Sequence, residues 1–267
     1  LFWGLFLGLD IARTRKPVIT FQRLRHWIYS LNAVIYYVAL YIILNPRHSN
    51  WTAPVALALG AVYFLTVLGG KRFWKEAEDH HDRRALIAIV LLAVATGIHF
   101  SGYMLVIAWS LEALALVWSG TYWRMPPVWM AALGLFAFAV MSLIDTVTAT
   151  FEPLPFVLNQ RALAFTTLAA ALYGSIPPLG RFSGDQSREI RAALHYGWSA
   201  VLFAFISVEA HNCALDLASN RPLLLITAGW MIYALPMTWA GLRAKTAPVL
   251  QCGLGAALLA AGVAIIT

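Results

Sequence analysis

Nine apolar stretches follow one another along this chain, each long enough, at roughly 17–25 residues, to cross a bilayer as an α-helix. They run approximately over residues 26–44, 51–68, 85–101, 103–120, 127–144, 161–179, 190–211, 222–241 and 247–267. Membrane-spanning β-strands are about ten residues long and alternate in polarity. These runs are longer and apolar on all sides, so they predict helices.

The scarcity of charge supports this interpretation, because only 12% of the 267 residues are charged. A soluble domain usually carries about 25% charged residues and uses them to form a polar surface. We therefore predict an all-α, polytopic transmembrane helix bundle, with residues 1–267 forming a single domain in the lipid bilayer. The apolar run over residues 1–9 is too short to span, and we expect it to be the end of a tenth, truncated helix.

Basic residues predict the orientation of the chain in the membrane. Sixteen of the 19 Lys and Arg residues lie in odd-numbered loops, and the exceptions are Arg47, Arg161 and Arg221. Cytoplasmic loops hold the excess of Lys and Arg in membrane proteins. The alternation therefore predicts cytoplasmic odd loops and a periplasmic C-terminus. It also explains the net charge of +7 without a nucleic-acid partner.

An internal repeat is indicated by five identities that recur 121 residues later. Trp109, Ala113, Leu114, Trp118 and Gly120 return as Trp230, Ala234, Leu235, Trp239 and Gly241. Both copies have the same predicted orientation, so the symmetry axis should lie along the membrane normal. The expected repeat units are about residues 51–145 and 160–267.

Glu112 is the clearest candidate for a functional side chain, because it lies in the middle of a predicted span. A charged side chain there costs roughly 3 kcal/mol by insertion scales. Such a carboxyl group can carry protons, bind ions or act as a general acid or base. The structural alternative is a hydrogen-bonded Glu that joins helices. The repeat places Tyr233 at the equivalent position, whereas a symmetric two-site transporter should keep both carboxylates.

A second candidate is a group of titratable residues near the predicted outer face: His99, Asp145, Glu209 and His211. Histidine and carboxylates together can bind zinc or relay protons. The spacing matches no metal motif, because residues 209 and 211 point about 200° apart on one helix. No metal or cofactor is therefore predicted, and the alternative is that these groups mark where spans meet water.

Several segments resemble a known family. They are His81–Gly120 with its Trp109-Ser-Leu-Glu112 and Val117-Trp118-Ser-Gly120 motifs, Leu158-Asn-Gln-Arg161, Ser207-Val-Glu209, and the helix from Trp230 to Arg243. The chain resembles, from about residue 26 to its end, the bacterial membrane proteins catalogued as domain of unknown function 2339. The resemblance implies a multi-helix protein of the bacterial inner membrane, normally longer than this chain. It implies no reaction and no catalytic residue.

Three functional hypotheses follow. The first is a non-enzymatic subunit or scaffold of an envelope-associated machine, with other membrane or envelope proteins as partners, because the sequence carries no catalytic motif. The second is a transporter or lipid-handling protein that uses Glu112. The third is a membrane-embedded enzyme that acts on a lipid-linked substrate at the outer face.

Overall fold

The computed structural model describes residues 22–69, 78–149, 159–181, 185–216 and 222–266, together with Gly4 and Gly8. The first helices are α1 (Gln22–His48), α2 (Thr52–Gly69) and α3 (Glu78–His99), with a 3₁₀ turn, Ser49–Trp51, between α1 and α2. The others are α4 (Gly102–Tyr122), α5 (Pro126–Ala149), α6 (Gln160–Gly174), α7 (Ile176–Leu179), α8 (Asp185–Asp216), α9 (Pro222–Ala244) and α10 (Ala247–Ile266). No strand occurs in these ranges, so the all-α prediction is confirmed.

The predicted spans coincide with helical structure, and six helical segments among the described residues are long and apolar enough to cross a membrane. These are Gly102–Tyr122, Pro126–Ala149, Gln160–Leu179, Ser187–Ala214, Leu223–Ala244 and Ala247–Ala264. Within α1, α2 and α3, the residues whose side chains the structure describes include the apolar segments Ala33–Pro46, Thr52–Val67 and Arg84–His99. The structure thus fits a multi-pass membrane protein. The count of nine spans stays a prediction, and the truncated helix at residues 1–9 lies outside the described residues, apart from its two glycines.

By its internal contacts the chain divides into two helix groups. The first helix group contains α1–α3 and Met125–Ala131, and the second contains α4, α5 from Ala132 onward, and α6–α10. In the first group, Gly60 of α2 lies against α3. A Cβ atom at Gly60 would lie 3.3 Å from the Ala88 carbonyl oxygen. Small residues therefore let these two helices approach closely, as is common between membrane helices.

Helix α6 is the interior helix of the second group. Of its apolar window 56% is buried, against 22–33% for the other five candidate spans. On one side, the Trp118 indole of α4 donates to the Gly174 carbonyl oxygen at 3.1 Å. On the other side, the rings of Phe165 and Phe205 of α8 lie 5.6 Å apart. Helix α6 thus connects α4 to α8.

Helices α9 and α10 form a hairpin in which the two backbones nearly touch. A Cβ atom at Gly241 would lie 2.5 Å from the Leu250 nitrogen, and one at Gly253 would lie 2.5 Å from the Thr238 nitrogen. No side chain fits at either position without moving a backbone. Glycine is therefore required at both places for this helix pair to close.

Helices α4 and α9 end in the same way. Arg124 (φ 55°) and Lys245 (φ 52°) are the non-glycine residues with positive φ in the described ranges, and they are 121 residues apart. After α9, the Thr246 N–H donates to the Gly241 carbonyl oxygen at 3.0 Å, and the Lys245 N–H donates to that of Leu242 at 3.4 Å. These two bonds form a Schellman motif, which satisfies carbonyl groups at a helix end.

The helices that follow these turns also bury matching positions. On α5 the shared buried residues are Val128, Ala132, Leu135 and Ala139. Their counterparts on α10, 121 residues later, are Val249, Gly253, Ala256 and Ala260. The spacing of three and four residues places each set on one face of its helix. Helices α5 and α10 therefore bury equivalent faces.

Candidate functional site

A buried charged cluster joins the start of α6 to α8, and it consists of Arg161, Glu209 and Asn212, called here the Arg161 cluster. Arg161 Nε donates to Glu209 Oε1 at 2.9 Å, and Nη2 lies 2.7 Å from the same oxygen. The two side chains are only 3% and 7% exposed. With its amide oxygen facing the guanidinium, Asn212 accepts from Nη1 at 2.5 Å and from Nη2 at 2.6 Å. The guanidinium is thus held by two side chains of α8.

Local sequence explains why Arg161 occupies this place. Asn159 has an extended backbone, and its Oδ1 accepts from the Ala162 N–H at 2.7 Å, so it caps α6. Arg161 is consequently the second residue of the helix. A positive charge near a helix N-terminus is unfavourable, because the N–H groups there carry partial positive charge. The carboxylate of Glu209 compensates both the guanidinium and this helix end.

The two carboxylate oxygens of Glu209 have different environments. Oε1 accepts from Arg161, whereas Oε2 is buried and has no hydrogen-bond partner among the described residues. Glu209 and Asn212 are three residues apart, so they lie on the same face of α8. Breaking such a desolvated pair by removing one partner costs about 3–5 kcal/mol, since the other charge stays buried. The pair therefore fixes α6 against α8.

Glu112 lies near the middle of α4, half-buried at the edge of the inward face of this helix. Ser110 and Ala113 beside it are fully buried, whereas Leu111 is exposed. The sequence predicted that Glu112 lies in the middle of a span, and its position in the middle of α4 is consistent with that prediction. Its role in transport stays a prediction.

Tyr233, which the repeat equates with Glu112, makes a bond between helices. Its hydroxyl donates to the Ser199 carbonyl oxygen of α8 at 2.9 Å. Trp230, one turn earlier, donates from its indole to Ser207 Oγ of α8 at 2.9 Å. Hydrogen bonds of this kind hold membrane helices together, and here they join α9 to α8.

The predicted outer-face residues have different environments. His99 is exposed at the end of α3, in the first helix group, with its ring edge-on to Phe100 at 4.7 Å. Asp145 is exposed on α5, in the second group. His211 is exposed on α8, whereas Glu209 on the same helix is buried, as their two-residue spacing predicts.

No set of three His, Cys, Asp or Glu side chains able to hold a metal ion occurs where the structure describes the chain. The partner found for Glu209 is Arg161, which the sequence analysis did not pair with it. One signal did mark it, since Arg161 is one of three exceptions to the charge alternation. A Glu within a span also requires a partner. The clustering of His99, Asp145, Glu209 and His211 stays a prediction.

Two apolar grooves occur among the described residues. The first lies between α1 and α3, has a volume of about 450 Å³, and is lined mainly by aliphatic side chains together with Tyr37. The second lies in the second helix group between α5, α6 and α8, has a volume of about 390 Å³, and is lined by apolar residues. Apolar walls favour hydrocarbon over polar groups.

No known protein family, curated protein or solved structure matches the chain. The resemblance to domain of unknown function 2339 therefore stays a prediction.

Proposed function

We propose that this chain is a non-enzymatic membrane subunit or scaffold of an envelope-associated assembly in the bacterial inner membrane. The observation that carries the proposal is the structural role of the buried ion pair between Arg161 and Glu209. The side chains of Arg161 and Glu209 bind each other and thereby hold α6 against α8. A buried charge pair that fixes two helices stabilises a frame and leaves its groups unavailable to a substrate.

Polar groups of α8 support the same role. The Ser199 carbonyl oxygen and Ser207 Oγ accept hydrogen bonds from α9, and the Tyr196 hydroxyl donates to Gln251 Oε1 of α10. These contacts connect helices to each other. The two described grooves are lined by apolar groups, whereas a path for ions would need polar or charged ones. A rigid frame with lipid-facing grooves is what a membrane subunit requires.

The proposed topology has nine spans, with odd loops in the cytoplasm and the C-terminus in the periplasm. It includes a parallel repeat in which α4–α5 corresponds to α9–α10. The matching buried faces and the two left-handed turns at Arg124 and Lys245 support this correspondence. Cysteines introduced at positions 124 and 245 should then both react with a membrane-impermeant maleimide from the cytoplasmic side only. Labelling of the two from opposite sides would contradict the repeat.

Partner recovery tests the scaffold proposal. The tagged protein, extracted in a mild detergent after brief cross-linking in cells, should carry at least one membrane or envelope protein in fixed ratio. Arg161→Ala removes the ion pair that holds α6 to α8, so this variant should recover less of the partner protein than the wild type does. A protein that is monomeric and active alone would contradict the proposal.

Glu112 supplies the second candidate, a transporter or lipid-handling protein, because this carboxyl group lies half-buried at mid-span. Under this hypothesis, Glu112→Gln abolishes flux or lipid exposure in reconstituted vesicles while partner recovery is unchanged. Under the scaffold proposal, Glu112→Gln recovers its partner protein as the wild type does, and neither protein shows flux in the vesicles. The enzyme hypothesis rests on the outer-face residues, and His99→Ala together with Asp145→Asn would test it.

A further inference from the structure

The second groove lies between α5, α6 and α8. Its α8 wall lies on one face of the helix, and half of its residues are small: Ile190, Ala193, Leu194, Gly197, Ala200 and Val201. The opposite wall runs from Leu133 to Val140 on α5, and Leu172 of α6 lies between the walls. Small side chains on α8 leave the open space between these helices.

The length of the groove corresponds to one leaflet of a bilayer. From Ile190 to Val201 it follows α8 for eleven residues, or about 16 Å at 1.5 Å per residue. That is about half of a hydrocarbon core of roughly 30 Å, the depth of one leaflet.

The chemistry of the walls points to a hydrocarbon occupant. Every residue that lines the groove is apolar, so a polar or charged group inside it would find no side-chain partner. A hydrocarbon chain needs no such partner, and the acyl chain of a membrane lipid extends through one leaflet. The groove therefore suits an acyl chain of a membrane lipid.

Basic residues lie at one end of this groove. Arg191 follows Ile190, the first residue of the α8 wall, whereas Arg188 lies about 200° from Ile190 around the same helix. A Cβ atom at Gly180 would lie 3.6 Å from Arg191 Nη1, which brings the chain at residues 180–181 beside that guanidinium. Arg181 is exposed and follows directly. Arg181 and Arg191 thus lie at the end where an acyl chain in the groove would meet its headgroup.

We propose that this site binds an anionic phospholipid, with an acyl chain in the groove and the phosphate at Arg181 and Arg191. Guanidinium groups bind phosphate oxygens in paired hydrogen bonds. Basic pockets between membrane helices bind anionic headgroups for the same reason. The inference goes beyond the scaffold proposal, because it holds for the isolated chain whether or not a protein partner exists.

Native mass spectrometry of the purified protein tests the groove. Dioleoyl-phosphatidylglycerol should bind at least tenfold more tightly than dioleoyl-phosphatidylcholine. Ala200→Leu places a larger side chain in the groove at an exposed position and should weaken binding of both lipids about tenfold. Ala204→Leu is the matched control, since residue 204 is exposed on the same helix but does not line the groove. If Ala200→Leu fails to fold, Ala193→Leu at another exposed lining position replaces it.

The headgroup site has its own test. Arg181→Gln should lower the preference for phosphatidylglycerol about fivefold and leave phosphatidylcholine binding unchanged. Lys245→Gln, an exposed basic position at the end of α9, should change neither affinity. Equal affinities of the two lipids for the wild-type protein would overturn the proposal. So would a folded groove variant that binds both lipids as well as the Ala204→Leu control does.

Discussion

Replacing Arg161 with alanine should lower the free energy of unfolding by about 3–5 kcal/mol. The substitution leaves Glu209 with only 7% of its side chain exposed and with no counter-charge. It also removes the donor to Oε1 at 2.9 Å and both donors to Asn212. The loss of stability therefore comes mainly from the Glu209 carboxylate, which stays buried without a counter-charge. The packing contacts of the arginine side chain contribute less than its charge.

Unfolding in mixed micelles with a rising fraction of dodecyl sulfate, followed by tryptophan fluorescence, measures this change. A double-mutant cycle separates the pair from its surroundings. Arg161→Met combined with Glu209→Leu should recover most of the loss, because apolar residues of similar volume often replace a buried ion pair at no cost. Each single substitution should be less stable than the double one.

Gln160→Ala is the matched control, because residue 160 is exposed and adjacent to Arg161 in the same turn. It should change stability by no more than about 0.5 kcal/mol. The reasoning is refuted if Arg161→Ala unfolds within about 1 kcal/mol of the wild type. That result would mean that water reaches Glu209 and that the pair does not fix the helices.

Three further predictions use the same unfolding assay. Gly253→Ala should destabilise the protein by about 1–3 kcal/mol because its Cβ would lie 2.5 Å from the Thr238 nitrogen, whereas Gly255→Ala, with nothing within 4 Å, should be neutral or stabilise it by about 0.5–1 kcal/mol. Equal effects of these two substitutions would contradict the close packing of α9 on α10. Asn159→Ala should cost about 1 kcal/mol through loss of the α6 cap, and an unchanged midpoint would show that the cap contributes nothing. Tyr233→Phe should cost about 0.6 kcal/mol, and an effect above about 2 kcal/mol would indicate a larger role for its hydroxyl than one bond to α8.

The helices could be predicted from the sequence because each apolar run is close to the length of its helix. The span predicted at 103–120 is observed as Gly102–Tyr122, and the one at 222–241 as Pro222–Ala244. Differences at the ends arise because basic and polar residues can extend a helix beyond the hydrocarbon. Helix α8, at 32 residues, extends five residues beyond its predicted span at each end for this reason.

The contacts between helices could not be predicted in the same way. The hydropathy of a segment shows that it is apolar, but it does not show which face of the helix turns inward. The pairing of Arg161 with Glu209, 48 residues later, therefore has no periodic pattern in the sequence that would predict it. The close approach at Gly253 was equally hidden, because nearby Gly255 looks the same in sequence and faces open space. Only the repeat carried such information. Its identities at Ala113 and Ala234 fall on residues that are both buried.

The separation of partners along the chain sets an expected order of assembly. Gly241 and Leu250, or Gly253 and Thr238, meet within one hairpin, so α9 and α10 can pair as soon as both have left the translocon. Contacts that are local in sequence form first because little chain must be ordered to make them. Arg161 must instead wait, within the bilayer, until Glu209 has been synthesised and inserted. During that interval a nascent α6 carries an unneutralised charge, and we expect it to be the point at which biogenesis depends on an insertase or chaperone.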